Sequence, residues 1–419
     1  MDKLKNGVLL IAFHYPPIAV SSGVHRTLAF SRYLSQWGWN VDVLTADYRV
    51  YPRYDLSSLE TIPSEVNVIS AWAKDTARDL SIKGRYSQLM AIPDRYQSWI
   101  VGGVLSGLKV IKKNRPSIIF STYPIASAHV IGYLLHKFTG IPWVADFRDP
   151  MAQEGYPENP LVKKSYLWIE RKIVKHASKL IFNTSGALEY YIERYSSLKR
   201  ERCLVIQNGF DEEVFDEIEK AVADEKITGF EDSNKFILLH SGVIYPSERD
   251  PTQLFDALSQ LKKDLVVNKS NFSLRLRATG HDNLFREMIV ERDIADLIEL
   301  APPIPHKEAL KEMFKVNGLL LLQADNCEQQ IPAKAFEYIR AGKPVLALTT
   351  RTGETGKLIA GHPLSEIAPL NSADDIMSAL KALIERPHEI AQESQLDTSK
   401  YSRRHGAQLL KVVLEQTKL

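Results

Sequence analysis

Residues 319–348 read LLLLQADNCEQQIPAKAFEYIRAGKPVLAL, and no other stretch of the chain restricts its fold as closely. A short, continuous apolar run followed by polar residues predicts a buried strand over 319–322. A polar loop, 323–330, comes next. Pro332 follows it, a residue favoured in a helix's first turn because its missing N–H needs no partner there. Gly342 supplies the usual left-handed stop, with Pro344 just beyond, so a helix is expected over 332–341. A strand restarts at 345–348. In such a strand–loop–helix–strand unit the helix N-terminus faces the C-terminal edge of a parallel sheet, where free N–H groups and the helix dipole favour phosphate. Lys334 lies in the first turn, and Glu337, three residues on, shares its face. A cation there suits a diphosphate and a carboxylate suits sugar hydroxyls. As a mere exposed ion pair the two would contribute only about 0.2–0.5 kcal/mol.

The same alternation runs through the rest of the chain. Strands are expected at 7–13, 40–45, 65–70, 117–122, 142–147, 179–184 and 203–207, with helices at 24–37, 99–113, 125–138, 161–176 and 187–195. A second series has strands at 236–240, 272–278, 297–300, 319–322, 345–348 and 366–369. Its helices fall at 251–267, 284–293, 307–314, 332–341, 356–360 and 372–385. Strands alternating with helices argue for parallel, doubly wound sheets. With 419 residues the chain is long enough for two domains, since single cores seldom grow beyond ~250–300 residues. Residues 212–234 are acidic and polar with little apolar periodicity, and the domain linker is expected there. Residues 401–419 read as a last helix.

Only Cys203 and Cys327 are present, so there is neither a disulfide framework nor a zinc spacing, and a reducing, cytoplasmic setting is expected. Lys3 and Lys5 precede an apolar run at 8–13, but that run is too short for a signal peptide and ends in His14, Tyr15, Pro16 and Pro17. No run approaches the ~18 apolar residues of a membrane span. Residues 1–210 hold 27 Lys and Arg against 17 Asp and Glu, while the remainder holds 26 against 34. A basic half beside an acidic half suggests that the first meets an anionic surface, phospholipid or nucleic acid. Residues 99–115 place four basic residues after an apolar stretch, a pattern that could mark an interfacial helix but more often belongs to a helix packed on its own sheet with solvated lysines.

Three further loops could carry chemistry. HYPPIAVSSGVHR, at 14–26, puts His14, Ser22 and Gly23 before a helix, where Gly23 would let backbone approach a ligand. It is not a G-x-G-x-x-G, which disfavours a dinucleotide oxidoreductase. HSGVIYPSERDP, at 240–251, is the corresponding loop of the second half, with Gly242 after the strand. There Arg249 could grip a diphosphate with its guanidinium fork, and Asp250 with Gln253 would form a capping box. WVADFRDP, at 143–150, ends a buried strand with Asp146, Arg148 and Asp149. Either carboxylate could orient an acceptor hydroxyl or take its proton, or Arg148 could bind both acids in a structural knot. There is no Asp-x-Asp and no His/Cys cluster, so direct metal chelation of a diphosphate is not expected.

IPAKAFEYIRAGKPVLAL resembles the nucleotide-binding signature of glycosyltransferase family 4, retaining sugar-nucleotide transferases of the GT-B fold. The DFRDP block is similar to that of members in which an acid replaces a more common His, as in bacterial surface-polysaccharide transferases. The resemblance implies two Rossmann-like domains facing a central cleft: 1–212 for the acceptor, 213–400 for the nucleotide sugar, and 401–419 returning to the first. It implies that Glu337 holds the ribose hydroxyls, that Gln329 stands where members carry an acid, and that Pro332 opens the donor-binding helix. Arg249 and Lys334 would share the diphosphate, while Gly280 and His306 would border the base. Asp146 or Asp149 would serve catalysis, and His14, Ser22 and Arg148 the acceptor side. The implied activity is metal-independent transfer from a nucleoside diphosphate sugar to a glycan or lipid-linked acceptor in polysaccharide assembly. No cofactor or nucleic acid is involved, and the protein would be cytoplasmic or peripheral on the membrane. A sugar-nucleotide epimerase of the same fold and a non-catalytic nucleotide-binding subunit are the alternatives.

Overall fold

The computed structural model describes residues 6–19, 23–224, 235–246, 249–386 and 397–418. It divides into two compact units, residues 1–208 with 403–419, and residues 209–402.

The first unit is built on seven parallel strands: β1 (Gly7–Ile11), β2 (Asn40–Ala46), β3 (Asn67–Ala71), β4 (Ile118–Thr122), β5 (Trp143–Arg148), β6 (Lys179–Phe182) and β7 (Cys203–Val205). Their spatial order is β3-β2-β1-β4-β5-β6-β7. Apolar side chains alternate between faces: Leu9 and Ile11 enter one core, Val8 and Leu10 the other. The helices Ser98–Asn114, Ala126–Thr139, Pro160–His176 and Ser185–Arg194 cover the first face. The helices Gly23–Gln36 and Arg403–Thr417 cover the second, where Ala407, Leu410, Val413 and Leu414 pack with Phe30, Tyr33 and Leu34.

The second unit holds β8 (Phe236–Ser241), β9 (Phe272–Arg277), β10 (Ile298–Ala301), β11 (Gly318–Leu322), β12 (Val345–Leu348) and β13 (Ser365–Ala368), parallel and ordered β10-β9-β8-β11-β12-β13. In both sheets the winding reverses beside the first strand, between β1 and β4 and between β8 and β11. Crevices at such switch points are where open α/β sheets bind ligands.

One expected element is corrected. Much of the supposed linker is a helix, Glu212–Asp224, and residues 225–234 lie outside the described residues. Phe215 and Ile218 bury one face against the core, while Glu212, Asp216 and Glu219 meet the single guanidinium of Arg340 at 2.8, 2.9 and 3.0 Å. The acids that suggested a solvated connector are spaced to share that cation. No helix among the described residues is long and apolar enough to cross a membrane.

Candidate functional site

In the second unit the elements that meet at the switch point bring together most of the donor-site residues expected from sequence. The strand β8 runs out through His240 and Ser241 into Gly242, whose φ of 119° lies in the region that side chains avoid. A Cβ on Gly242 would stand 2.7 Å from the Lys334 Nζ, so the glycine also leaves room for that ammonium. Lys334 comes from the first turn of the helix Ala333–Ala341, which starts at Pro332 with no side chain capping it. Its free N–H groups remain available to an anion. Gln323 shapes the loop before it, donating through Nε2 to the carbonyls of Cys327 and Gln330 at 2.7 and 3.1 Å. Gln329 is half-buried in the same loop.

Lys334 Nζ lies 3.4 Å from His240 Nε2, and His240 Nδ1 lies 2.9 Å from the Leu320 carbonyl. A carbonyl only accepts, so Nδ1 carries the proton and Nε2 turns a lone pair toward Lys334. Burial, and then the charge of Lys334, hold His240 well below the usual imidazole range. Lys334 is itself lowered to about 7, by burial first and by the Arg249 guanidinium second, with Glu337 opposing. Two cations and a neutral histidine are therefore gathered with too little negative charge around them, the electrostatic complement of a diphosphate.

Arg249 follows the β8 loop, donates through Nη1 to the Val243 carbonyl at 2.9 Å, and lies 5.6 Å from the centroid of the Tyr245 ring. Glu337 approaches His306 Nε2 at 3.6 Å across from the start of the helix His306–Lys315. Gly280, at φ 79°, borders Val243 of the same loop. The expected capping box is not formed. Asp250 instead accepts from the Thr252 N–H at 2.9 Å, and Gln253 donates to Asp256 at 3.4 Å. Replacing Gly242 by alanine is expected to combine a strained φ with displacement of Lys334, costing about 1–3 kcal/mol. A lower midpoint in urea unfolding, with the far-ultraviolet spectrum of the folded state unchanged, checks this.

In the first unit His14 and Arg148, expected on the acceptor side, meet Gly23, expected to touch the donor, at the β1/β4 switch point. A Cβ on Gly23 would come within 2.6 Å of His14 Nδ1 and 2.7 Å of Arg148 Nη1. Ser22 lies outside the described residues. Arg148 takes a left-handed φ of 58° where β5 shifts register against β6, and its side chain turns back inside. Its Nη1 donates to the Tyr123 carbonyl at 3.4 Å, while its Nε is buried without a hydrogen-bond partner. Burial, and then Arg148, lower His14 to about 4, so the imidazole is neutral at pH 7. Burial raises the carboxyl of Asp149, opposed by Arg148 and Arg26.

Asp146 is differently placed. Its two oxygens receive Arg26 Nε and Nη2 at 3.1 and 3.0 Å, and Thr122 Oγ1 at 2.9 Å, in a buried cluster. The cation paired with this acid is Arg26, not the Arg148 of the structural-knot alternative. Arg26 and Asn183 were not singled out in the sequence. Arg26 lies on the buried face of its helix, one turn before Phe30, whose ring it covers at 4.8 Å. A cation among apolar helix positions was the available signal. Asn183 follows β6, and its buried side chain lies beside the Asp149 carboxyl, which it helps to hold down.

Two α/β units with parallel sheets, each with polar groups gathered at its switch point, define a protein of the GT-B fold. Residues 23–209 match the model of the family described as glycosyl transferase 4-like domain. The chain is 24% identical over 328 residues to D-inositol 3-phosphate glycosyltransferase of Thermobispora bispora, covering 71% of this chain and 73% of that one. The fold is shared with Anabaena HepE, solved in complex with UDP, at a TM-score of 0.65 and 16% identity over 98% of this chain and 100% of that one. Sucrose-phosphate synthase from Thermosynechococcus elongatus also has a TM-score of 0.65, at 13% identity over 98% and 99% of the two chains.

Proposed function

We propose that this protein is a glycosyltransferase that moves a sugar from a nucleoside diphosphate sugar to an acceptor hydroxyl. The observation that carries the proposal is the meeting of Arg249, Lys334 and an uncapped helix N-terminus beside Gly242, with Glu337 one helical turn further on. In this reading the bond between the sugar's anomeric carbon and the diphosphate oxygen breaks as the acceptor oxygen bonds to that carbon. Arg249 and Lys334 stabilise the charge that gathers on the departing diphosphate. Lys334, near its midpoint at pH 7, takes up a proton as the diphosphate arrives. Glu337 accepts hydrogen bonds from the ribose hydroxyls, and Asp149 orients the acceptor hydroxyl and receives its proton. Retention of configuration, independence of metal, and a setting in polysaccharide or lipid-linked glycan assembly are the finer parts of the proposal. They rest on the resemblance of the motifs.

The test is thermal unfolding against UDP, GDP, ADP and TDP, with Glu337→Ala as control. A nucleotide at 100 times its dissociation constant is expected to stabilise the wild type by about 2.7 kcal/mol. If no nucleotide shifts the transition, the donor reading fails. Incubating the stabilising nucleotide's sugar conjugates without any acceptor separates transfer from epimerisation: an epimerase converts the sugar, a transferase leaves it unchanged apart from slow hydrolysis.

A further inference from the structure

Three neighbouring helices of the first unit, Ser98–Asn114, Ala126–Thr139 and Pro160–His176, have an unusual charge distribution. They carry nine Lys and Arg residues and one acid, Glu170. Glu170 is fully buried and engaged by Arg194 at 3.2 Å and by the Tyr191 hydroxyl at 2.7 Å. The outward faces of the three helices therefore present no carboxylate. Complementing helix dipoles explains basic residues in the last turns. It does not explain Lys109, Lys163 or Lys164, nor the missing acids along whole helices.

The same faces expose apolar side chains. On Ser98–Asn114 one stripe runs Val101, Leu105, Lys109 and Lys112, with Val101 and Leu105 each 58% exposed. On Pro160–His176 the stripe runs Leu161, Lys164, Trp168, Arg171 and Lys175, with Leu161 and Trp168 each 45% exposed. Phe138, 63% exposed, ends the helix between them. The layer is continuous, since Tyr133 of the middle helix packs edge-on to Trp168 at 6.3 Å and Lys172 lies over both rings.

We propose that this helical layer docks the protein on an anionic lipid surface. Lysine and arginine would meet the headgroups, while Val101, Leu105, Phe138, Leu161 and Trp168 enter the boundary between headgroups and acyl chains. A nucleic acid would match the charge but offers nothing to cover exposed aliphatic side chains. The inference does not require the transferase reading, because the face lies outside the residues placed in either site.

The test is sedimentation of the whole protein with vesicles of phosphatidylcholine alone and of phosphatidylcholine with phosphatidylglycerol. Binding is expected only to the second kind and should weaken with salt. Each basic residue near such a surface contributes roughly 1 kcal/mol, so every cation removed should lower the partition coefficient about fivefold. Lys109→Gln with Lys112→Gln and Lys164→Gln is expected to abolish sedimentation at moderate salt. Lys411→Gln, on the opposite face of the sheet, should leave it unchanged. Leu105→Ser with Trp168→Ser keeps every charge and should weaken the binding that survives at higher salt. The thermal unfolding transition of each variant without ligand, read in parallel, reports that it is folded. Three results overturn the proposal: no wild-type binding to either vesicle, equal binding to both, or vesicle binding fully displaced by equimolar duplex or single-stranded nucleic acid.

Discussion

Lys334→Met is expected to lower kcat/KM by about two to three orders of magnitude, the range found when one preorganised charge-stabilising donor is removed. The same substitution should stabilise the free protein near neutral pH. Lys334 is lowered from 10.5 to about 7 by burial and by Arg249. Between those values the unfolded chain holds the proton and the folded chain does not. Stability therefore rises with pH across that window, and the penalty is largest at and below pH 7. Methionine removes the penalty, so the variant should unfold at a higher temperature at pH 7, with the gap closing toward pH 10. Melting curves at several pH values, beside steady-state kinetics, check both halves. If activity fell with stability at pH 7, Lys334 would be a packing residue.

Arg26→Met is expected to have the largest effect on folding. Among the described residues it leaves the fully buried Asp146 with Thr122 as its remaining side-chain hydrogen-bond donor, and breaking one side of a buried ion pair typically costs about 3–5 kcal/mol. Asp149→Asn should behave oppositely. If Asp149 has the proposed role, its loss is expected to cost about 10²–10⁴ in kcat, while its raised carboxyl means little stability is lost with the charge. Urea titrations and turnover of the two variants separate the roles of two aspartates three residues apart. If Asp149→Asn kept full activity, the diphosphate itself would be the better candidate for the proton acceptor.

These outcomes also show where sequence suffices. Strand and helix positions were legible because short apolar runs bounded by glycine and proline report local physics: β11, the helix Ala333–Ala341 and β12 lie within one residue of expectation. Glu212–Asp224 looks like a linker in sequence because the partner of its acids, Arg340, lies more than 120 residues away. Arg26 with Asp146, and His240 with Lys334, are separated by 120 and 94 residues. Such pairs exist only once the sheets are wound. Local patterns place side chains at the strand ends but do not say which of them will meet.

The helix Arg403–Thr417 closes a face of the first unit that 208 earlier residues cannot close themselves. During ribosomal synthesis, domains usually mature in the order in which they emerge. Here residues 209–402 can complete their own core, pinned at its base by the Phe210 N–H on the Tyr401 carbonyl, while Phe30, Tyr33 and Leu34 still wait for Leu410 and Leu414. The unit that emerges first is thus finished last. A nascent chain stalled before residue 403 would present chaperones with one mature domain and one still exposing its apolar flank.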